Sequence, residues 1–352
     1  MDQIAIVILN WNGCGLLSRF VPGIVAHSDG ARVVVVDNGS TDDSVAWLSQ
    51  HHPSVEVIRH KQNLGFTGGY NEALKHVQAK YYVILNSDVE VTPGWLQPML
   101  EWMETEDRLG AIQPKLLAEK QRHLFEYAGA GGGFIDKYGF PFCRGRLFQD
   151  IEEDHGQFND RREVFWASGA CMFIRSEAFH AAGGFDSDFF AHMEEIDLCW
   201  RLKRMGYAIG YCGSSTVYHM GGATLITGSP RKTYLNFRNN LCMLFKNLPE
   251  KKFARTLIIK MVLDGIASIR FLLEGHGLSS LAVLKAHLYM YGHMRMLRSK
   301  RNELKRQASV SEVSNVYGKS IVWTHYVMRK HRFDELEAGR FRAPAEEISL
   351  SY

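Results

Sequence analysis

The stretch that decides the fold is Tyr82-Val83-Ile84-Leu85-Asn86-Ser87-Asp88, an apolar run that ends in polar side chains. Such a continuous apolar run predicts a buried strand of a parallel sheet. Asn86 and Asp88 lie two residues apart, so on an extended chain both side chains point the same way. Ligands of open α/β sheets bind beyond the carboxyl ends of the strands. A carboxylate there can hold a hard divalent cation, although Asn-Ser-Asp is also ordinary turn chemistry.

Short β-rich runs alternate with helical stretches on both sides of this strand. Strands are predicted at residues 4–9, 32–37, 55–59 and 81–85, and helices at 16–27, 42–51, 68–78 and 93–104. This order predicts an α/β fold, with a mostly parallel sheet between helices. The pattern weakens between residues 107 and 165. We interpret the glycine-rich residues 128–133 as an active-site loop that covers an acceptor, because no strand and helix flank them as in a phosphate cradle.

Polar segments follow all four predicted strands. Their candidate ligand-binding residues are Asn10, Asn12, Asp37, Asn38, Asn63, Gly65, Phe66, Asn71 and Asn86. Each segment alone is typical of a turn, but four successive ends at one sheet edge predict a single long cleft. A nucleotide fits such a cleft, and Asp37 could accept hydrogen bonds from its base or ribose. The absence of GxGxxG and GxxxxGK[ST] motifs disfavours a dinucleotide-binding Rossmann domain and a P-loop NTPase.

Three carboxylates, Glu194, Glu195 and Asp197, open a predicted helix. A helix N-terminus stabilises negative charge, so an acidic helix start is also a common structural feature. Aromatic residues precede the acids, and a carboxylate beside apolar walls has a raised pKa that suits a general base. Arg201 on the same helix could orient one of these acids.

His219 follows a later predicted strand, between an aromatic residue and a glycine pair. A lone histidine is more often a packed or surface residue than a ligand. An imidazole nitrogen combined with carboxylate and phosphate oxygens would nevertheless suit Mn²⁺ or Mg²⁺.

The composition of the 352 residues narrows the function further. A net charge of +3 is too small to argue for nucleic acid, and six scattered cysteines without a CxxC pair favour reduced thiols in a cytosolic protein. The apolar run at 4–9 lacks a basic region before it, so no signal peptide is predicted.

The chain becomes helical and basic after about residue 227. Residues 253–273 are apolar but carry charges, which favours an amphipathic helix over a membrane span. Residues 295–306 hold six basic side chains against one acid, which indicates either an anionic lipid surface or a solvated helix face. We therefore divide the chain into a catalytic domain at 1–226 and a helical, basic region at 227–352.

In this order, the motifs resemble the glycosyltransferase family 2 enzymes of the GT-A fold, and most of all the rhamnosyltransferase-like bacterial branch that builds cell-surface polysaccharides. The resemblance covers roughly residues 4–241. It rests on Val-Ile-Leu-Asn-Trp-Asn-Gly at 7–13, Val-Val-Asp-Asn-Gly-Ser-Thr-Asp at 35–42, Asn-Leu-Gly-Phe-Thr-Gly-Gly-Tyr-Asn at 63–71, Leu-Asn-Ser-Asp at 85–88, Glu-Glu-Ile-Asp-Leu-Cys-Trp-Arg at 194–201 and Val-Tyr-His-Met-Gly-Gly at 217–222.

The resemblance implies a metal-dependent hexosyltransferase that moves a sugar from a nucleotide diphosphate donor with inversion. It implies that Asp88 and His219 bind the metal and that Arg238 belongs to a segment that closes on the diphosphate. Glu195 stands where the family's catalytic Asp is usual, and Glu194 is the alternative base. Asn86 replaces the first acid of the family's DxD motif, which removes one anionic metal ligand.

The implied partners are a nucleotide-diphospho-sugar, a saccharide or lipid-linked acceptor and an anionic membrane surface, with no nucleic acid. The implied location is cytoplasmic, peripheral on the inner face of the cell membrane. A nucleotidyltransferase that makes a nucleotide sugar is one alternative, although residues 10–15 lack its basic loop. A non-catalytic GT-A-fold scaffold is another, which Asn86 and Glu195 would favour. The rhamnosyltransferase likeness points toward a deoxythymidine donor.

Overall fold

The first half of the chain is a βαβ succession, as its alternating pattern predicts. The computed structural model describes residues 2–28, 30–221 and 229–343. The first elements are β1 (Asp2–Asn10), α1 (Cys14–Ala26), β2 (Arg32–Asp37), α2 (Ser44–His51), β3 (Glu56–Arg59), α3 (Gly65–Ala73), β4 (Ala79–Asn86), β5 (Val89–Val91) and α4 (Gln97–Thr105). Strands β1 to β4 are mutually parallel, and their central side chains form the core between the helices.

The middle of the chain adds strands to this sheet and builds a smaller second sheet. Its elements are β6 (Leu109–Ala118), β7 (Gly133–Asp136), β8 (Pro141–Cys143), β9 (Arg146–Leu147), β10 (Asp150–Ile151), β11 (Arg161–Val164), β12 (Cys171–Arg175), α5 (Ser176–Ala181), α6 (Glu194–Arg204) and β13 (Ala208–His219). The large sheet has the order β11-β13-β6-β12-β4-β1-β2-β3, with β5 paired to β13. Strand β12 is antiparallel to both of its neighbours, so the sheet is mostly but not entirely parallel.

The glycine-rich residues 128–133 form a tightly packed turn before β7, and their predicted role in covering an acceptor stays a prediction. Gly129 to Gly133 are buried and lead into β7. A Cβ atom on Gly133 would overlap the Trp166 ring, at 2.1 Å from its nearest atom. The glycines therefore allow the chain to pass close to packed side chains.

The last third of the chain is largely helical. Its elements are α7 (Pro230–Asn247), α8 (Glu250–Leu273), α9 (Gly277–Gly292), α10 (Met294–Gln307), β14 (Val316–Tyr317) and α11 (Ile321–Tyr326). Strand β14 joins the small sheet, whose order is β10-β9-β8-β7-β14. Leu241 and Leu244 of α7 belong to the same core cluster as Val7 of β1. The two regions thus share one core, and the predicted boundary at 226/227 falls outside the described residues.

Helix α8 agrees with the amphipathic interpretation of residues 253–273. Within the described part of the chain, no helix is long and apolar enough to cross a membrane. The two charges at the centre of α8, Lys260 and Asp264, pair with each other and are buried against the rest of the protein. Because these two charges face the protein interior, the solvent-exposed face of α8 can carry apolar side chains.

Candidate active site

Strand pairing brings Asp88 and His219 together at the edge of the large sheet. Strand β4 ends at Asn86, and after a two-residue turn β5 pairs antiparallel with the end of β13, so that Val89 lies opposite His219. Nε2 of His219 lies 3.1 Å from Oδ1 of Asp88, and both side chains are buried. The predicted metal pair is therefore preformed by sheet register.

Glu126 completes this group, and the sequence analysis missed it. Its Oε1 lies 3.1 Å from Nδ1 of His219, on the side of the ring opposite Asp88. The backbone N–H of Glu126 donates to Leu116 O of β6, whose neighbouring residues pair with the end of β13. No motif marks Glu126; the only sequence signal is an acid between Phe125 and Tyr127.

His219 carries a positive charge between the two carboxylates in the metal-free protein. Burial alone would lower the pKa of His219, but Glu126 and Asp88 outweigh burial and raise it to about 10. The imidazolium thus occupies a position where positive charge is strongly favoured. The amide of Asn86 lies 3.5 Å from Nε2 of His219.

This donor set fits a divalent cation. Asp88 offers a carboxylate oxygen, His219 offers Nε2, and Asn86 offers its amide oxygen when the side chain is rotated, a choice that hydrogen-bonding context decides. An ion on Nε2 would leave the proton on Nδ1, 3.1 Å from Oε1 of Glu126, and a carboxylate beside that nitrogen is the usual support of a metal-bound histidine. Because Asn86 stands in place of an acid, the protein offers the cation one anionic ligand. The diphosphate of the nucleotide-sugar would have to supply further anionic ligands.

The acids at the start of α6 follow a strained loop. Phe190, His192 and Met193 all have positive φ angles, between 63° and 70°, a region that non-glycine residues rarely adopt. Strain of this kind clusters at functional sites, where surrounding contacts hold it. Burial, with the charge of Lys232, lowers the pKa of His192 to about 4, so its ring is neutral.

Glu194 and Glu195 have different environments. Burial raises the pKa of Glu195 to about 7, although backbone N–H groups at the helix start oppose this. Burial raises the pKa of Glu194 well above its usual value, and the charges of Glu195 and Asp197 add to the rise. Each carboxyl has a buried Oε2 without a hydrogen-bond partner among the described residues. Both effects oppose ionisation of Glu194, while Glu195 is poised to exchange a proton near neutral pH.

Asp197 is a structural residue, which corrects its assignment as a candidate catalytic acid. It is fully buried; its Oδ2 accepts from Nε of Arg201 at 2.8 Å, and its Oδ1 accepts from Nδ2 of Asn247 at 2.8 Å. Nζ of Lys246 lies 3.0 Å from Oδ1 as well. With both oxygens committed to buried cations and an amide, Asp197 has nothing left to offer a substrate.

Glu195 and Asn86 approach the same part of the sheet edge through the residues that precede β12. A Cβ atom on Gly169 would lie 3.6 Å from Cβ of Glu195 and 3.5 Å from the Phe66 ring. The next residue, Ala170, accepts a hydrogen bond from the backbone N–H of Asn86 at 3.0 Å. The base candidate and the metal candidates thus border one region.

Arg238 and Asn239 of α7 hold the strained loop before α6 in place through hydrogen bonds to its backbone. The amide nitrogen of Asn239 lies 2.7–3.0 Å from the carbonyl oxygens of Phe189, Ala191 and His192. Arg238 donates through Nη2 to the carbonyls of Asp188 and Phe189. In this structure Arg238 therefore positions the loop before the acids, rather than reaching a donor diphosphate as the resemblance implied.

Two of the residues predicted to bind the nucleotide-sugar donor carry, at adjacent strand ends, side-chain oxygens without hydrogen-bond partners in the described part of the chain. Asn10 and Asp37 are opposite each other in the β1–β2 pairing and are buried. Oδ1 of each is buried without a hydrogen-bond partner among the described residues. Unpaired buried oxygens are costly, and ligand hydroxyl or N–H groups would satisfy them.

Other residues predicted to bind the donor also build the scaffold of the cleft, and their contact with a donor stays a prediction. Asn38 donates to Asn63 Oδ1 and Gly65 O and accepts from Leu64 N, so its amide is fully used. Asn71 donates to Phe185 O and accepts from Phe185 N.

Three further residues of the predicted set also serve the shape of the cleft. Asn12 accepts from Thr41 N and so joins the loops after β1 and β2. Gly65 has φ +74°, and a Cβ there would lie 2.5 Å from the Phe190 ring. Phe66 packs against Tyr70 and Phe185. These residues position the edge that a ligand would touch.

Comparison with known proteins identifies the family. Residues 5–183 match the family model described as glycosyl transferase family 2. A relative from Mycobacterium tuberculosis, named N-acetylglucosaminyl-diphospho-decaprenol L-rhamnosyltransferase, is 26% identical over 86% of this chain and 97% of its own length. Among solved structures, GalNAc-T7 with UDP, GalNAc and Mn²⁺ has a TM-score of 0.60 at 14% identity, covering 94% of this chain and 57% of that one.

A second solved structure agrees in fold. The mannosyltransferase PcManGT from Pyrobaculum calidifontis, in complex with GDP-Man and Mn²⁺, has a TM-score of 0.50 at 15% identity, covering 87% of this chain and 85% of that one. These likenesses confirm the GT-A fold expected from the sequence, and the family match confirms the resemblance to family 2. The chain belongs to glycosyl transferase family 2.

Proposed function

We propose that this glycosyltransferase moves a sugar, with inversion, from a nucleotide diphosphate donor to a saccharide or lipid-linked acceptor in cell-surface polysaccharide synthesis. The observation that carries the proposal is the buried Asp88–His219–Glu126 group at the sheet edge, with the Glu195 side chain beside Gly169 in the segment that Asn86 also contacts. The Mycobacterium tuberculosis relative, whose name gives a lipid-linked acceptor and rhamnosyl transfer, supports this choice of substrates.

Asp88 and His219 would hold Mn²⁺ or Mg²⁺, with Glu126 orienting the imidazole and Asn86 adding a neutral oxygen. The ion would neutralise the charge that develops on the leaving diphosphate. The paired strand ends β5 and β13 fix the two ligands before any donor arrives, so little ordering is needed on binding. Asn10 and Asp37 would accept hydrogen bonds from the nucleoside.

Glu195 would act as the general base. Its carboxylate takes the proton of an acceptor hydroxyl, whose oxygen attacks the anomeric carbon on the face opposite the diphosphate and so inverts it. The raised pKa of Glu194 beside it opposes a second negative charge in the pocket. Asn239 and Arg238 would act by positioning the loop that precedes the base.

An apolar surface on the C-terminal helices supports membrane docking. Helices α8 and α9 pack together and expose a stripe of large aliphatic side chains: Ile258, Val262, Ile266, Ile269, Leu272, Leu273, Leu278, Leu281, Leu284 and Leu288. Soluble proteins rarely expose an apolar patch this extensive without a partner. We call these ten residues the apolar face.

An anionic bilayer fits the apolar face because exposed cations accompany it. Lys251 and Arg255 of α8 and Lys285 of α9 are exposed on the same two helices. Such side chains can reach lipid headgroups while the aliphatic ones enter the interface. Helix α10 is a weaker candidate for lipid, because Lys300 pairs with Asp186, whose side chain is mostly buried, and Arg301 and Lys305 pair with the exposed Glu250 of α8.

We accordingly propose a functional division in which residues 1–226 carry the catalytic and donor-binding residues, and residues 227–352 carry the docking surface together with the α7 residues that support the catalytic loop. The protein would then work at the cytoplasmic face of the cell membrane, peripherally bound, where lipid-linked acceptors are accessible. This arrangement needs no membrane-spanning helix.

The experiment that tests the function is a donor screen. Purified protein, Mn²⁺ and a membrane lipid extract as acceptor source would be incubated with deoxythymidine, uridine and guanosine diphosphate sugars, and released nucleoside diphosphate measured. We expect acceptor-dependent release from one donor class, beginning with deoxythymidine donors. No release from any donor, with diphosphate released from a sugar phosphate and a nucleoside triphosphate instead, would overturn the proposal in favour of nucleotidyl transfer.

A further inference from the structure

Away from the candidate active site, two histidine side chains approach the same carboxylate oxygen of an aspartate. Nε2 of His325 lies 2.7 Å from Oδ2 of Asp150, and Nδ1 of His331 lies 2.6 Å from the same atom. Asp150 belongs to β10 of the small sheet, His325 to α11, and His331 to the segment after it. More than 170 positions separate the aspartate from each histidine, so tertiary structure alone makes this cluster.

We propose that Asp150, His325 and His331 bind a transition-metal dication, with Zn²⁺ as the best fit. Two imidazole nitrogens and one carboxylate oxygen are a preferred zinc donor set, with a fourth position left for water or a substrate. The three donor atoms lie within 4.8 Å of one another. This site has no part in the proposed sugar transfer, because none of its residues belongs to the strand ends that form the cleft.

To admit an ion, the ligand atoms, now within 4.8 Å of one another, must take up tetrahedral spacing. Ligand atoms on a tetrahedral zinc lie about 3.3 Å apart, given metal–ligand bonds of about 2.0–2.1 Å. The nitrogen–oxygen distances must therefore widen by several tenths of an ångström. Asp150 and His331 are both nearly half exposed, so they can make this adjustment and leave room for a water ligand.

One neighbour of the cluster helps to hold His325 in place, whereas His325 lacks one hydrogen-bond partner within the described ranges, which limits the affinity for the metal ion. The ring of Phe148 packs on His325, with centroids 4.8 Å apart, and supplies an apolar wall beside the ligand. Nδ1 of His325 is buried without a hydrogen-bond partner among the described residues. A metal-bound His325 would carry its proton there, so we expect affinity about 10–100-fold weaker than in a zinc site with full support.

An ion here would fasten α11 to the small sheet. Helix α11 and the two residues after it expose Trp323, Tyr326, Val327 and Met328. Arg270, near the end of α8, lies 5.7 Å from the Tyr326 ring, which places these side chains next to the apolar face. Metal occupancy would thus stabilise the position of an additional apolar patch beside the docking surface.

The test is calorimetric titration of the full chain with Zn²⁺ in excess Mg²⁺, which keeps hard-ion ligands occupied. His331→Gln removes a ligand but retains an N–H that can donate to Asp150. His155→Gln is the matched control, because His155 is an exposed histidine outside the cluster. His219→Gln identifies any zinc held at the candidate active site.

We expect wild type, His155→Gln and His219→Gln each to bind Zn²⁺ at this site, and His331→Gln to lose at least about tenfold in affinity. Zn²⁺ should also raise the melting temperature of wild type and not that of His331→Gln, since a ligand stabilises only the fold that binds it. Zinc binding that is absent in wild type, unchanged in His331→Gln or lost in His219→Gln alone would overturn the proposal and leave the cluster a hydrogen-bonded contact.

Discussion

Nε2 of His219 lies 3.1 Å from Oδ1 of Asp88, although 131 positions separate the two residues. The contact follows from register, because β5 begins one residue after Asp88 and sets Val89 opposite His219. The Asp88 carboxylate and the His219 imidazole together offer two of the ligands that a divalent cation requires. The predictions below depend on this pair and on the acids that border the same sheet edge.

Glu195→Gln should lower kcat by about 10²–10⁴-fold, because the amide cannot take the acceptor's proton. Glu194→Gln is the matched control: it makes the same isosteric change at the neighbouring carboxyl, whose raised pKa opposes ionisation, so turnover should stay within a few-fold of wild type. Steady-state kinetics with the preferred donor measures both. Wild-type turnover in both variants, or an equal loss in both, would remove Glu195 as the base.

The pH dependence of kcat/KM should show an acidic limb near pH 7. Burial raises the pKa of Glu195 to about 7, and a base acts only when ionised. The ionised fraction therefore falls as the pH drops through about 7, and the rate should fall about tenfold per further pH unit. Saturating Mn²⁺ keeps metal loss out of the profile. A flat profile from about pH 5.5 to about pH 8.5 would contradict the assignment.

Glu126→Gln should raise the Mn²⁺ concentration needed for half-maximal activity by about 10–100-fold, because it weakens the acceptor that orients His219. kcat at saturating Mn²⁺ should change much less. Glu153→Gln, the same change at an exposed acid, should alter neither quantity. An equal Mn²⁺ requirement in Glu126→Gln and wild type would show that Glu126 does not support the ligand.

Asp197→Ala should destabilise the protein by about 3–5 kcal/mol, because it leaves Arg201 as a buried cation without its carboxylate and removes one of the two carboxylates that pair with the buried Lys246. The free energy of unfolding from denaturant titration measures the effect. Asp43→Ala, at an exposed helix start without a side-chain cap, should cost less than about 0.5 kcal/mol. Unchanged stability in Asp197→Ala would return Asp197 to the candidates for catalysis.

Ile266→Glu and Leu284→Glu should each reduce sedimentation with anionic vesicles at low salt, since both place a charge in the apolar face. Neither side chain is buried, so folding should be preserved. Ser49→Glu adds the same charge on exposed α2 and should leave sedimentation unchanged. Failure of the wild-type protein to sediment with anionic vesicles would end the membrane proposal.

The fold was predictable because its signals are local and repeated. Apolar runs such as residues 82–85 mark buried strands, and their alternation with helical periodicity specifies a parallel sheet. Asp88 and His219 were identifiable because strand ends meet at one edge. The start of α3 was less clear: Gly65 opens the helix with a positive φ angle that its missing Cβ permits, and its close approach to the Phe190 ring is not visible in sequence.

The roles of individual polar residues were harder to predict, because an amide in a turn and an amide on a ligand look alike in sequence. The side chains of Asn38 and Asn71 form hydrogen bonds with the backbone of segments distant in sequence, and Asp197 forms ion pairs with buried cations. Glu126 belongs to no motif, and only strand pairing brings it to His219. Whether a polar group is satisfied is a tertiary property.

The most direct test of the central claim is calorimetry of nucleoside diphosphate binding, with deoxythymidine, uridine and guanosine diphosphates, in Mn²⁺ and in EDTA. The account predicts that Mn²⁺ tightens binding of the preferred diphosphate at least about tenfold in wild type, and that Asp88→Asn and His219→Gln each abolish this gain. Diphosphate binding that is equally tight in Mn²⁺ and in EDTA, or a gain that survives both substitutions, would contradict it.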